Sequence, residues 1–381
     1  MTTRHAPRRL SLPAGAVATM LAAGPALAQT PVFFPAPDID SRTYPFTGQT
    51  SNAVEPVFGA YDIPEFIGAF DNRDSQVQLA FDTQTAGIPT GLSLQDYTVD
   101  TVTLTVTIGE IVGSPLYDPT YDPADTYPIA NPVSPRQVDP DPGRPIPVFA
   151  AAFRNGYTGW EFAAAPVAGP PLFARSGEGY GPVSFGQGVR HVFPTDLVLE
   201  ETSPGSGVFL PRDVSNNLDE PAGGTDQFDA QPLAVGSLPA VTPGDPLMIG
   251  DELIFEIDLT RPEVLEHVRE GLARGDLGFV IATLLPASGN VGGGAGGDYV
   301  RLAMGSSATP PTLTVEYSLT PPTCEGDTNG DGATDVSDFF ALASSFGDQS
   351  GADRADGDLT GDGAVDISDF FILAGDFGCT P

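Results

Sequence analysis

Two acidic segments near the C-terminus constrain this chain more tightly than any other feature. Residues 327–338 read DTNGDGATDVSD and residues 358–369 read DLTGDGAVDISD. They begin 31 residues apart and match at eight of twelve positions. Each places a short oxygen-bearing side chain at loop positions 1, 3, 5, 9 and 12, with glycine at position 6. A calcium ion takes roughly six to eight hard oxygen ligands, and a loop wrapped round one ion presents alternate residues to it. The sharp turn at position 6 needs a residue without Cβ, which Gly332 and Gly363 supply. One such segment is compatible with a solvated acidic turn. Two in register, each running into a similar aromatic helix start (DFFALASSFG and DFFILAGDFG), point to two bound Ca2+ ions. The expected ligands of the first ion are Asp327, Asn329, Asp331, the Ala333 carbonyl, Asp335 and Asp338. Those of the second are Asp358, Thr360, Asp362, the Ala364 carbonyl, Asp366 and Asp369.

Position 12 is aspartate rather than the longer glutamate, and the preceding segments, TPPTCEG and GADRADG, carry no helical pattern. A duplicated half EF-hand of this kind resembles a dockerin. The flanking Cys324 and Cys379 are similar to those of the Gly-Cys-ended tails of planctomycete-type secreted proteins. The resemblance implies a small α-helical calcium-binding domain over 321–381 that docks onto a cohesin-like or cell-surface partner. It also implies that the partner reads the exposed helix starts: Val336, Ser337, Phe339 and Phe340 in one repeat, Ile367, Ser368, Phe370 and Phe371 in the other. One aromatic of each pair is expected to fill the module core instead, with Leu342 or Leu373. Near-identical repeats imply docking in either of two orientations.

The chain carries 50 acidic residues against 16 basic ones, all arginine, for a net charge of −34. Such a field repels nucleic acid and anionic membrane surfaces and suits divalent cations or neutral polysaccharide. The N-terminus reads as a secretion signal over 1–28: Arg4, Arg8 and Arg9, an apolar run from about Ala14 to Leu21, and a small-x-small Ala26-Leu27-Ala28. No later run reaches the length a membrane span needs. An extracellular location follows, secreted or surface-associated, and it is an oxidising one. There the two cysteines, bracketing the acidic loops, read as a disulfide, with two independent thiols as the alternative.

The body, 29–320, reads as mainly β. Gln76–Phe81 alternates polar and apolar residues, and Val99–Ile108 (VDTVTLTVTI) does so more strictly. Further strand candidates are 148–153, 159–163, 189–193, 196–200, 252–259, 278–284, 299–304 and 312–317. Short strands between Gly, Pro and Asp turns predict an antiparallel β-sandwich or jelly roll. One helix is marked by Thr260-Arg261-Pro262-Glu263, which reads as a capping box, then by Val264, Leu265, Val268 and Leu272, with Gly275 as terminator. His267 is expected to be exposed or capping. Residues 113–147, dense in proline, predict a stiff surface loop, either a solvated insertion or a binding surface of tyrosines and aspartates. The GGGAGG run at 292–297 lacks the lysine and the strand-to-helix setting of a phosphate loop.

The order DSQVQLAF, IPTGLSLQDYTVDTVTLTVTI, IDLTRPEVLEHVREGLARGDLGFVIATL, PPTLTVEY resembles secreted DNRLRE-type jelly-roll modules, which implies a β-sandwich; some modules of that family bind carbohydrate. No nucleophile elbow or histidine cluster is present, and only His191 and His267 follow the signal. A glycoside hydrolase needs only a pair of carboxylates, for which Glu161, Glu252 and Glu256 are the candidates. Trp160, the single tryptophan, lies in RNGYTGWEF, where Tyr157 and Trp160 form either a sugar-stacking platform or part of the core. The leading expectation is a non-catalytic secreted protein held in place by its calcium-binding tail. A dockerin-bearing carbohydrate-active enzyme and a structural surface-layer or matrix protein are the alternatives.

Overall fold

The computed structural model describes residues 30–44, 48–59, 75–127, 129–130, 133–134, 138–154, 157–162, 191–201, 205–214, 228–285, 298–319 and 324–380. The signal segment, the glycine run at 292–297 and Ala163 to Arg190 lie outside them. Among the described residues no helix is long and apolar enough to cross a membrane.

Among the described residues, two large antiparallel sheets form the body, with two small two-stranded ones beside them. In the first, the order is Thr30–Phe34, Thr312–Leu319, Tyr97–Val112, Tyr299–Ala303, Val54–Val57, with Glu252–Glu256 also paired to the long Tyr97–Val112 strand. In the second, the order is Val192–Thr195, Pro147–Phe153, Asp276–Ile281, Gln76–Asp82, Ile39–Tyr44, Gly48–Thr50, with Ala234–Val235 on Pro147–Phe153. One hydrophobic cluster joins them, taking Val102, Leu104, Leu313 and Phe255 from the first sheet and Val77, Leu79, Phe279 and Val148 from the second.

The long strand shows how register serves burial. Tyr97 and Val99 face inward, and so do Val102, Leu104, Val106 and Ile108, although the two sets differ in parity. A bulge opposite Glu316–Tyr317 inserts one residue between them and restores the phase. The second sheet breaks the alternation rule in another way. Gln76–Asp82 and Asp276–Ile281 are buried along both faces, because Ile39, Phe149, Val192 and Val280 face a second cluster. Gln78 is therefore interior, and its amide donates to the Thr43 hydroxyl at 2.8 Å.

Helix α1, Pro262–Arg274, lays Val264, Val268 and Leu272 on the core and ends at Gly275, whose φ of 104° fits the left-handed cap. The expected capping box is not formed. Arg261 is the N-cap, the Thr260 hydroxyl donates to Asp258, and Glu263 accepts from Arg261 rather than turning back. His267 is half-buried rather than exposed, and desolvation, aided by the Arg274 charge, lowers its pKa to about 4. The candidate strand at 159–163 is not one over its described part, and the predicted 196–200 strand forms instead as Leu199–Glu201, paired to Phe209–Pro211. Among the described strands, eight went unread: Thr30–Phe34, Ile39–Tyr44, Gly48–Thr50 and Val54–Val57, and the short Ile129–Ala130, Val133–Ser134, Phe209–Pro211 and Ala234–Val235.

The proline-dense segment is not a simple solvated loop. Tyr117, Asp118, Asp122 and Tyr127 are buried in it. The Tyr117 hydroxyl accepts the Leu238 N–H at 2.8 Å, and the Arg144 guanidinium lies over the Tyr127 ring.

The tail contains helices α2, Val336–Ser345, and α3, Ile367–Asp376. Each loop pairs with the chain that follows the other repeat's helix. The Val365 carbonyl accepts from Gly347, and the Val365 N–H donates to Asp348. The Thr334 carbonyl accepts from Gly378, and the Thr334 N–H donates to Cys379. A disulfide joins Cys324 to Cys379 across a separation of 55 residues. The core is small, with Leu342, Val365 and Leu373 buried and Phe370 packed against them.

Candidate metal sites

The acidic loops organise themselves from their own backbone. Asp335 and Asp366 are the N-caps of α2 and α3, accepting from the Ser337 and Ser368 N–H groups at 2.6 and 2.7 Å. Asp338 and Asp369 return a carboxylate oxygen to the cap N–H at 2.8 Å, closing a capping box in each repeat. Their second oxygen crosses the loop. Asp338 Oδ1 accepts from the Thr328 N–H and hydroxyl and the Asn329 N–H, and Asp369 Oδ1 accepts from the Leu359 and Thr360 N–H groups. These two side chains are buried, at 0% and 1% exposure. Burial works against their ionisation, but the N–H donors outweigh it and hold both carboxyls below the usual range. Aspartate at position 12 thus ties the start of each loop to the start of its helix.

The remaining loop oxygens are also turned onto backbone. Asp327 accepts from Gly330 and Gly332, and Asp358 from Gly361, Asp362 and Gly363. The Asn329 side chain accepts from Asp331, Asp331 from Ala333, and Asp362 from Ala364. Asn329, Asp331, Thr360 and Asp362 are exposed. Each expected ligand set therefore lies on its own continuous segment, a loop and the first turn of the helix that follows it. Three carboxylates of one loop do not come within 4.8 Å of one another in either repeat. The donor set suits Ca2+, being hard oxygens at alternate positions. Closing it round an ion requires the carboxylates to rotate off their own N–H groups.

Around the loops stands an apolar surface. Val336, Phe339, Ile367 and Phe371 are exposed, and Phe340 is 64% exposed; Ser337 and Ser368 share their helix starts. Phe346 and Phe377, which follow the helices, are exposed as well. The expectation that each pair lends an aromatic to the core fails in the first repeat, where neither Phe339 nor Phe340 is buried. Leu342, Val365 and Leu373 form the buried core, and of the four aromatics only Phe370 packs against it, beside Ala352 and Leu359.

In the body, Trp160 is 9% exposed and meets Phe153 edge-on at 5.4 Å. Gly278 lies directly beneath it, where a Cβ would fall 2.0 Å from the indole Nε1. The ring is covered, so the core alternative holds for Trp160. Tyr157 instead tilts against His191 at 4.8 Å. Glu252 and Glu256 line the outer face of their strand, with Leu253 and Phe255 buried opposite.

Sequence reasoning missed what lies around Arg144. Its guanidinium donates to Asp122 Oδ2 at 2.7 Å and lies 3.2 Å from Asp139. Beside it opens a cavity of about 240 Å³, lined by Leu116, Gly143, Arg144, Ile146, Asp298 and Tyr299 among others. The signal in the sequence was the run of Asp-Pro pairs, which fixes extended backbone at each aspartate but not which of them meet. Comparison with protein-family models and with curated proteins finds no match to this chain.

Proposed function

We propose that the protein is a secreted, non-catalytic β-sandwich of jelly-roll type, held in place by a dockerin-like tail that binds two Ca2+ ions. The observation that carries this reading is the duplication itself. Two loops with the same alternate oxygens share the same capping-box aspartates and the same exposed apolar helix starts. Monomeric proteins rarely leave so much apolar surface uncovered on so small a module, and such surface marks a docking face. A cohesin-like or cell-surface protein is the partner proposed for Val336, Phe339, Phe340, Ile367, Phe371 and their neighbouring serines. Calcium orders the loops that aim these helices.

Calorimetric titration of the full chain tests this. The Asp331→Asn/Asp362→Asn variant should take up two fewer ions than the wild type, and both ions should be recovered when each residue is restored. An equal ion count in variant and wild type sinks the calcium role of the loops. A structural matrix role for the same protein would leave calcium uptake intact, but no partner would bind the helix starts.

A further inference from the structure

We infer that Asp118, Asp122 and Asp141 form a divalent-cation site of calcium's hard-oxygen class in the body, independent of the tail. Three carboxylate oxygens, one from each residue, lie within 4.8 Å of one another. Oxygens sharing one Ca2+ at its usual bond length of roughly 2.3–2.6 Å lie no more than about 5 Å apart. Asp118 is 3% exposed, and its Oδ2 is fully buried with no hydrogen-bond partner; Oδ1 of the half-buried Asp141 is in the same condition. A buried carboxylate oxygen without a donor is costly, and several converging on one point repel each other as well.

Donors are too few to explain the arrangement. Asp118 Oδ1 takes the Thr120 N–H at 2.8 Å. The single Thr120 hydroxyl proton faces two acceptors, Asp118 Oδ1 at 2.6 Å and Asp141 Oδ2 at 3.1 Å. Arg144 serves Asp122 and Asp139, and it is also held by the Thr126 hydroxyl and carbonyl. One guanidinium against four aspartates leaves the cluster strongly negative. A divalent ion held among the three carboxylates would offset that charge. The Thr120 hydroxyl oxygen supplies a further ligand.

The backbone is prepared for this. Asp118, Asp122, Asp139 and Asp141 each precede a proline, which restrains the aspartate to extended geometry and limits where its carboxylate can go. Asp118, Thr120 and Asp122 alternate along the chain, as Asp358, Thr360 and Asp362 do in the tail. Asp141 arrives from a separate segment, brought close by Gly143, whose φ of 107° lets it pack against Leu116 and Tyr117. Ligands preset in this way lose little freedom when an ion enters.

Terbium(III), which takes calcium's ligands and luminesces when a nearby tyrosine is excited, tests the site on the full chain. Tyr117, Tyr121 and Tyr127 belong to the same segment as the aspartates, whereas residues 321–381 contain neither tyrosine nor tryptophan. Tyrosine-excited emission should saturate at one ion per chain, be displaced by Ca2+, and persist in the Asp331→Asn/Asp362→Asn tail variant. Asp141→Asn, at a half-buried position, should keep its circular dichroism and weaken the ion roughly tenfold or more, because affinity follows ligand charge. No sensitised emission from the wild type overturns the inference. So does emission that is unchanged in folded Asp141→Asn, or lost in the tail variant.

Discussion

The body and the tail are held together by opposite means, and their acidic residues show it. The body closes around apolar side chains from two sheets, and its aspartates at 118 and 141 are left with buried, unpaired oxygens. The tail has three fully buried apolar side chains, a disulfide, and loop aspartates such as Asp327 and Asp338 that accept backbone N–H groups of their own loop. A large core can carry polar strain that a small one cannot. Where burial is scarce, carboxylates become structural acceptors, and the metal-ligating role proposed for them would be added to that one.

The contrast can be broken most severely from the body side. Trp160→Ala empties a site packed on Gly278 and Phe153 and should cost the body about 3–5 kcal/mol. Since Trp160 is the only indole, the loss is followed by circular dichroism against denaturant. Hydrogen exchange in 324–380 should stay as it was. On the tail side, Cys324→Ser with Cys379→Ser releases a loop of 55 residues' separation and should cost roughly 3–4 kcal/mol. Amide protection in α2 and α3 should then collapse while the two sheets keep theirs.

Asp338→Ala sharpens the comparison within the tail. It strands the N–H groups of Thr328, Asn329 and Asp335 and should destabilise the tail by about 2–3 kcal/mol even with a chelator present. Asp331→Ala removes an exposed acceptor from one N–H and should cost no more than about 1 kcal/mol under the same conditions, read by hydrogen exchange. Equal costs would mean that position 12 has no structural role.

The pH response separates the two regions as well. In the folded body His267 titrates near pH 4, whereas an unfolded chain takes up that proton near 6.5. The unfolded state therefore binds more protons between these values, so stability is full above about 6.5 and falls toward 4. With the ring only half-buried, the loss should be about 2 kcal/mol, and His267→Gln should remove it from the pH profile of the body's denaturation midpoint. The smallest effect is expected at the apolar helix starts. Phe340→Ser with Phe371→Ser should shift tail stability by no more than about 0.5 kcal/mol, since both rings are exposed, while lowering partner affinity in surface plasmon resonance.

What the sequence could reveal followed how far apart the interacting residues lie along the chain. The tail was readable because its interactions are local. Asp335 caps its own helix, Asp338 bonds ten residues back, and the cysteine pair brackets both. Strands with one wet face were readable too, as in Glu252–Glu256. Strands buried on both faces were placed as strands, but their second buried face was not legible, since Gln76 and Gln78 look solvent-facing until the second cluster covers them. Thr260 looked like a helix cap because the local pattern fits, and Asp258 took its hydroxyl instead.

By itself, then, the sequence determined the β character of the body, the two acidic loops and their helices, and the cysteine pair. The first two rest on periodicity or on contacts a few residues long, and the cysteine pair on there being no other cysteine to pair with. Only the tertiary structure decided that Trp160 is covered, that Phe339 and Phe340 stay outside, and that Asp141 joins Asp118 and Asp122. Those outcomes depend on which distant segments the packing of the sheets brings together. A single sequence records the chemistry of each segment but not the partner against which it will be buried.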